Sequence, residues 1–151
     1  SIYPVYIFTL NITDGIEDIQ VRCMAEQNMG CLHDYSLTAG DAKLISDCNA
    51  FVINGAGMEG FLHDVESLSE ETKIIDSSEG IELICAHHHE GEEHSDEEHG
   101  HSHAENSHIW MSVANAVVQV ENICNGLCES FPEYESVFRE NTREYIVRLK
   151  T

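Results

Sequence analysis

Positive charge is what this chain has least of. Seven Lys and Arg stand against 28 Asp and Glu, giving a formal net charge of −21 at pH 7. So acidic a surface repels phosphate backbones and anionic lipid headgroups, which argues against nucleic acid as a partner and favours cationic guests. Long apolar runs are missing as well. No stretch of about 18 apolar residues occurs, so no segment reads as a bilayer-spanning helix. No basic-then-apolar leader opens the chain, as expected if an export signal has been removed or was never part of it. The six cysteines, Cys23, Cys31, Cys48, Cys85, Cys124 and Cys128, include no CxxC pair, so a zinc ribbon or thioredoxin-like site is not expected. Several of them fall at apolar positions and read as small buried hydrophobes. There is no GxSxG, and the one Cys with a nearby His, Cys31 with His33, is too close in sequence to suggest a nucleophilic dyad.

What is present suits one folded domain: 151 residues, 42% of them apolar, enough to bury a core. Before Ala86, strand-like and helix-like stretches alternate. Gln20 to Ala25 leans towards a strand. Thr38 opens a helix running to about Cys48, with Asp41 three residues on as its capping-box partner. Ala50 to Asn54 is an apolar run of the kind buried in parallel sheets. Met58 to Leu68 reads as a helix, and Lys73 to Asp76 as the next strand. This alternation predicts an α/β fold, a parallel β-sheet flanked by helices. After the midpoint the pattern turns helical, with Val113, Val117, Val120, Cys124, Leu127 and Phe131 on one stripe. Pro132 stops that helix or starts the next, which carries Tyr134, Phe138, Tyr145 and Leu149 and runs to Thr151 with no C-cap signal, as a severed helix would. The opening is ambiguous. Tyr3, Val5, Tyr6, Ile7 and Phe8 favour a strand by propensity, whereas Pro4 followed by Gly15 fits a helix.

Between Ala86 and Ser107 the composition changes sharply. His87, His88, His89, His94, His99, His101 and His103 lie among seven carboxylates, with no aliphatic residue larger than alanine. Such a segment cannot bury enough apolar surface to fold alone and reads as a mobile loop inserted within the domain. Neutral imidazole suits borderline metals such as Zn²⁺, so the loop is expected to hold ions weakly, at several exchanging positions. Two other histidines occupy patterned contexts. His33 lies between the Gln20 run and the Thr38 helix, and His108 lies between the loop and the Val113 helix. Loops leaving the carboxyl ends of parallel strands line the ligand crevice, so the two imidazoles could converge on one ion. Two ligands alone do not complete a zinc site.

A rival motif runs from Gly55 to Gly60, GAGMEG, which matches GxGxxG after a strand and has Asp76 ending the next strand. That is the context of a dinucleotide site and of a nucleotide-dependent oxidoreductase. Glu59 would place negative charge at the phosphate, so the favoured reading is a tight strand-to-helix turn.

The string His33-Asp34-Tyr35-Ser36-Leu37-Thr38 resembles a segment of the zinc-specific solute-binding proteins of bacterial ABC transporters. So do the aliphatic strand with Asn54-Gly55-Ala56-Gly57-Met58-Glu59, the stretch from Asp76 to Leu83, the His- and acid-rich loop, and His108-Ile109-Trp110. The motifs follow the family's order over nearly the whole chain. The resemblance implies one lobe of a two-lobed receptor: residues 1–131 as the metal-binding lobe, 132–151 as the start of a long interlobe helix, and a second lobe lying outside this sequence. It makes Pro4 to Leu10 the first helix, and that reading is adopted. It maps the primary metal ligands onto His33 and His108, with the loop histidines auxiliary. Leu32 stands where some zinc binders carry a glutamate that joins the metal. The function implied is capture of Zn²⁺ outside the cytoplasm, in a periplasm or as a cell-surface lipoprotein, and delivery to a membrane permease. No bond is made or broken, so no enzyme is implied. Affinity should fall below about pH 6 as the imidazoles protonate. A loop-only metal buffer is the further alternative, and the isolated lobe is expected to pair as a homodimer.

Overall fold

Val5, Phe8, Thr9 and Ile12 recur at helical spacing, and they form the buried side of the first helix, α1 (Tyr3–Ile12). The computed structural model describes residues 2–24, 35–68, 72–83 and 106–151. In α1 the strand propensity of the opening residues loses to this stripe. Pro4 sits in the first turn, where its missing N–H would have had no partner anyway. Thr13 closes the helix by donating its N–H to the Thr9 carbonyl, and Gly15 turns the chain at φ +78°.

The next segment departs from expectation. Gln20 to Met24 forms no ladder, because no strand among the described residues stands beside it. A cleft of about 480 Å³, lined among others by Gln20, Val21, Arg22, Ala50 and Val52, takes that place. Ala25, the last residue of that expected strand, lies outside the described residues.

Helix α2 (Ala39–Ser46) begins where its capping box predicts: the Thr38 hydroxyl accepts from Asp41 N–H while the Asp41 carboxylate accepts from Thr38 N–H. It leads into β1 (Ala50–Ile53), which pairs in parallel with β2 (Lys73–Asp76) in the register Ala50–Lys73, Phe51–Ile74, Val52–Ile75 and Ile53–Asp76. Helix α3 (Leu62–Leu68) makes the crossover. It starts at Leu62 and not at the expected Met58, because residues 56–61 are spent on turns, with Met58 N–H bonded to the Gly55 carbonyl and Leu62 N–H to that of Glu59.

The second half supplies the cover. After a short 3₁₀ turn at Ile109–Met111 comes α4 (Val113–Ser130), then a second such turn at Pro132–Tyr134 and α5 (Glu135–Leu149). Helix α4 lies directly on β2. A Cβ added to Gly126 would come within 2.6 Å of the Ile75 side chain, and Lys73 reaches Glu129 at 2.9 Å alongside. The buried face of α4 is Ala116, Gln119, Val120, Ile123, Cys124, Leu127 and Cys128. The expected stripe is therefore rotated slightly: Val113, its first member, is 54% exposed. Helix α5 returns across α1 and α4 with Phe138, Thr142 and Tyr145 inward. Phe51 and Ile53 on the other face of the sheet are buried too, so both faces of the sheet are covered, as in α/β folds. No helix among the described residues is long and apolar enough to cross a membrane.

Candidate metal centre

The carboxyl ends of β1 and β2 carry a buried polar hub. Asn54, the residue after β1, is fully buried. Its Nδ2 donates to the Gly55 and Ser107 carbonyls at 3.0 Å each. Its Oδ1 accepts from Gln119 Nε2 of α4 at 3.1 Å, and the same Nε2 lies 2.8 Å from Ser77 Oγ after β2. Ser77 Oγ donates in turn to the Asn54 carbonyl at 3.0 Å. Asn122 Nδ2 closes the group on the Ser77 and Glu79 carbonyls. In a low-dielectric interior such a network holds its members firmly. Its product is position: the backbone of Ser107 is gripped at the top of the sheet, and His108 is the next residue.

The His108 ring is solvent-exposed and ordered from two sides. Its backbone N–H donates to Asn106 Oδ1 at 3.0 Å, its Nδ1 lies 3.2 Å from the same oxygen, and the Trp110 ring sits 5.2 Å away, tilted by 46°. An imidazole so presented can donate one lone pair to a divalent ion.

On the other side of the β1–α3 connection stands Tyr35, two residues beyond His33. Its ring meets Phe61 edge-on at 5.6 Å, and its hydroxyl donates to Asp41 Oδ2 at 2.7 Å. Burial of the Asp41 carboxyl disfavours its charge. Hydrogen bonds from the Thr38 hydroxyl, the Tyr35 hydroxyl and the Thr38 N–H outweigh that, and the pKa sits below the usual carboxylate value. A depressed folded-state pKa gives stability that is present above the unfolded value of about 3.9 and lost as pH falls through the folded one. Thr38→Ala should therefore destabilise the lobe by about 1 kcal/mol at pH 7. The gap to the parent should narrow in thermal melts taken as pH drops below about 4.

His33 itself lies outside the described residues, as do His87, His88, His89, His94, His99, His101 and His103. Of the expected ligands, His108 is the one whose surroundings can be described. Among the described residues no three His, Cys, Asp or Glu side chains gather as a metal-holding group. Cys124 and Cys128, one turn apart on α4, are buried. Burial first, and then the neighbouring Cys124, push the Cys128 thiol up to about 11, so at neutral pH it is packed sulfur and not a thiolate ligand. Among the described residues, Cys48, Cys124 and Cys128 form no disulfide.

The GxGxxG turn is occupied by the chain's own anion. The Glu59 carboxylate, 6% exposed, accepts from Asn54 N–H at 2.8 Å and Gly55 N–H at 3.1 Å. A carboxylate so close to the glycines disfavours a pyrophosphate in the turn. Helix α3 also begins two residues beyond Gly60, so no helix N-terminus opens directly from the glycines. The turn needs Gly55 for another reason: φ is +75°, and a Cβ there would fall 2.0 Å from Asp76 Oδ1. Sequence reasoning missed the hub. Its one legible trace was a glutamine, Gln119, within the buried half of an amphipathic helix.

A parallel sheet covered on both faces, with an exposed histidine near the carboxyl ends of its strands, defines an α/β domain. The chain belongs to the family described as Zinc-uptake complex component A periplasmic (ZnuA), whose model matches residues 1–151. It is 34% identical to the zinc-binding protein AdcA of Streptococcus pyogenes serotype M3, over 99% of this chain and 31% of that protein. It thus spans about a third of the length of such relatives. Among solved structures it resembles the metal-dependent lipoprotein YcdH of Bacillus subtilis, with a TM-score of 0.79, 25% identity, and 99% of this chain on 50% of that one. It also resembles the Mn-bound periplasmic metal-binding protein of candidatus liberibacter asiaticus, with a TM-score of 0.79, 26% identity, and 98% of this chain on 50% of that one. The relatives' names describe metal and zinc binding, not catalysis.

Proposed function

We propose that this chain is the zinc-binding lobe of an extracytoplasmic receptor that captures Zn²⁺ and delivers it to the membrane permease of an ABC transporter. One observation carries the reading. The residue just before His108 and the residue two past His33 are both held by the single connection from β1 to α3, through Asn54 and through Phe61. That arrangement supports His33 and His108 as the primary ligands of one ion, with water or a second lobe completing the tetrahedron. Residues 1–131 form the metal lobe in this reading, and 132–151 begin the helix that leads to the second. The His-rich loop from Ala86 to Ser107 supplies weak auxiliary sites, through His87, His88, His89, His94, His99, His101 and His103, that raise the local zinc concentration. Imidazole ligands favour zinc over manganese. The protein works by binding and release, without catalysis, and its charge of −21 disfavours nucleic acid. The isolated lobe is free to pair with a second copy.

Zinc titration of the chain tests this. His33→Ala and His108→Ala should each weaken the tight site on the order of 100-fold, about 2.7 kcal/mol. Removal of residues 86–107 should leave that site in place. Loss of all binding on loop removal, with both alanine variants unchanged, would mean that the chain is only a metal buffer.

A further inference from the structure

We infer that Asn106 locks His108 in its Nδ1–H tautomer and thereby assigns Nε2 as the atom that meets the ion. The inference rests on the zinc-receptor reading and adds to it a positioning residue and a donor atom. Two contacts suffice. Asn106 Oδ1 lies 3.0 Å from the His108 backbone nitrogen and 3.2 Å from its Nδ1. The side-chain amide of asparagine can present either its oxygen or its NH₂ group in one direction. A backbone N–H can only donate, so the atom it faces must be the oxygen. That same oxygen then faces Nδ1, and an acceptor opposite Nδ1 requires a proton there. In the neutral imidazole the lone pair is left on Nε2 alone. The opposite tautomer would set two lone pairs against each other at 3.2 Å.

The surroundings keep this arrangement in register. Ser107 is 1% exposed, and its carbonyl is held by Asn54 Nδ2, so the chain between Asn106 and His108 cannot swing away without breaking the buried hub. Trp110 leans on the imidazole from another side. Metal-bound histidines generally donate their second ring N–H to an oxygen acceptor, which fixes both tautomer and ring direction. In this lobe the acceptor is a neutral amide supplied from two residues upstream, so the donor atom is chosen before any ion arrives.

Long-range ¹⁵N NMR of the zinc-free full chain, held at a pH where imidazole is neutral, reads the tautomer directly, with the His108 signals identified by their loss in His108→Ala. The expected result is a protonated Nδ1 and a pyridine-like Nε2. Asn106→Ala should give mixed tautomers and bind zinc about tenfold more weakly, with an unchanged melting temperature because Asn106 is exposed. Asn106→Asp, which keeps the oxygen acceptor, should restore both tautomer and affinity. A parent protein with its proton on Nε2, or an Asn106→Ala variant that keeps tautomer and affinity alike, overturns the inference. If His108→Ala leaves zinc affinity intact, the receptor reading fails instead, and the tautomer spectra still decide what Asn106 does.

Discussion

Phe138→Ala should destabilise the lobe by about 3–5 kcal/mol, the range for emptying a fully enclosed aromatic site. Phe138 is 0% exposed and sits where α5 crosses α1 and α4, with the Tyr134 ring 6.1 Å away in an edge-on arrangement. Neighbouring Phe8 and Tyr145 extend the aromatic layer between α1 and α5. These helices are tied by their flanks, through Asn141 Nδ2 on the Ile12 and Asp14 carbonyls and through Arg148 on Asn11. They cannot close over the void cheaply, so the cavity part of the penalty should be kept in full. Urea unfolding should show the midpoint falling at constant slope, the sign of lost stability without a changed unfolded state. The melting temperature should drop by roughly 10 °C. A loss below about 1 kcal/mol would mean that α5 only rests against the lobe. The expected loss instead makes α5 part of this domain's own core.

The parts of the fold that were legible in the sequence are those where one local signal dominates. The Thr38–Asp41 capping box marked the start of α2 to the residue, because both of its hydrogen bonds are made within four residues. The apolar run of β1 and the Ile74-Ile75 pair of β2, separated by a helical stretch, gave a parallel pair as strands alternating with helices do. Propensity misjudged α1, where aromatic and β-branched residues suggested a strand while the Val5, Phe8, Thr9, Ile12 stripe decided for helix. Gln20 to Met24 failed for the opposite reason: its residues suit a strand, and strands exist only with neighbours. At the proposed site, His108 is a candidate ligand through the His108-Ile109-Trp110 motif that resembles the family's. Its support was not legible, because Asn54, Ser77 and Gln119 lie far apart in sequence and meet only in three dimensions. Short polar residues scattered through apolar elements carry no spacing rule, and nothing local marks them as one network. The GxGxxG turn shows the reverse hazard: the pattern is present, but its glutamate turns onto the Asn54 and Gly55 N–H groups and no helix N-terminus opens directly from the glycines.

That glutamate carries the second large effect. Glu59→Ala should cost about 2–5 kcal/mol, because Asn54 and Gly55 would each be left with a buried N–H lacking its acceptor, at about 1–3 kcal/mol apiece. Glu59→Gln should cost less, since one oxygen still accepts while the new NH₂ group confronts the other N–H. The consequence should reach the proposed metal site. Asn54 is bonded through its backbone to Glu59 and through its side chain to the Ser107 carbonyl. Loosening the turn therefore frees the chain immediately before His108, and zinc affinity should fall together with stability. Hydrogen exchange can separate this route from general weakening. In Glu59→Ala the amides of Asn54 and Gly55 should lose protection more than those of α5, which packs on α1 and α4 and bonds to none of the hub residues. Uniform loss across the lobe would show that Glu59 acts on global stability alone. The unaltered turn should bind no dinucleotide in calorimetry, because Glu59 places a carboxylate beside the glycines and no helix N-terminus opens directly from them; micromolar NAD binding to the parent chain would contradict that reading of the turn.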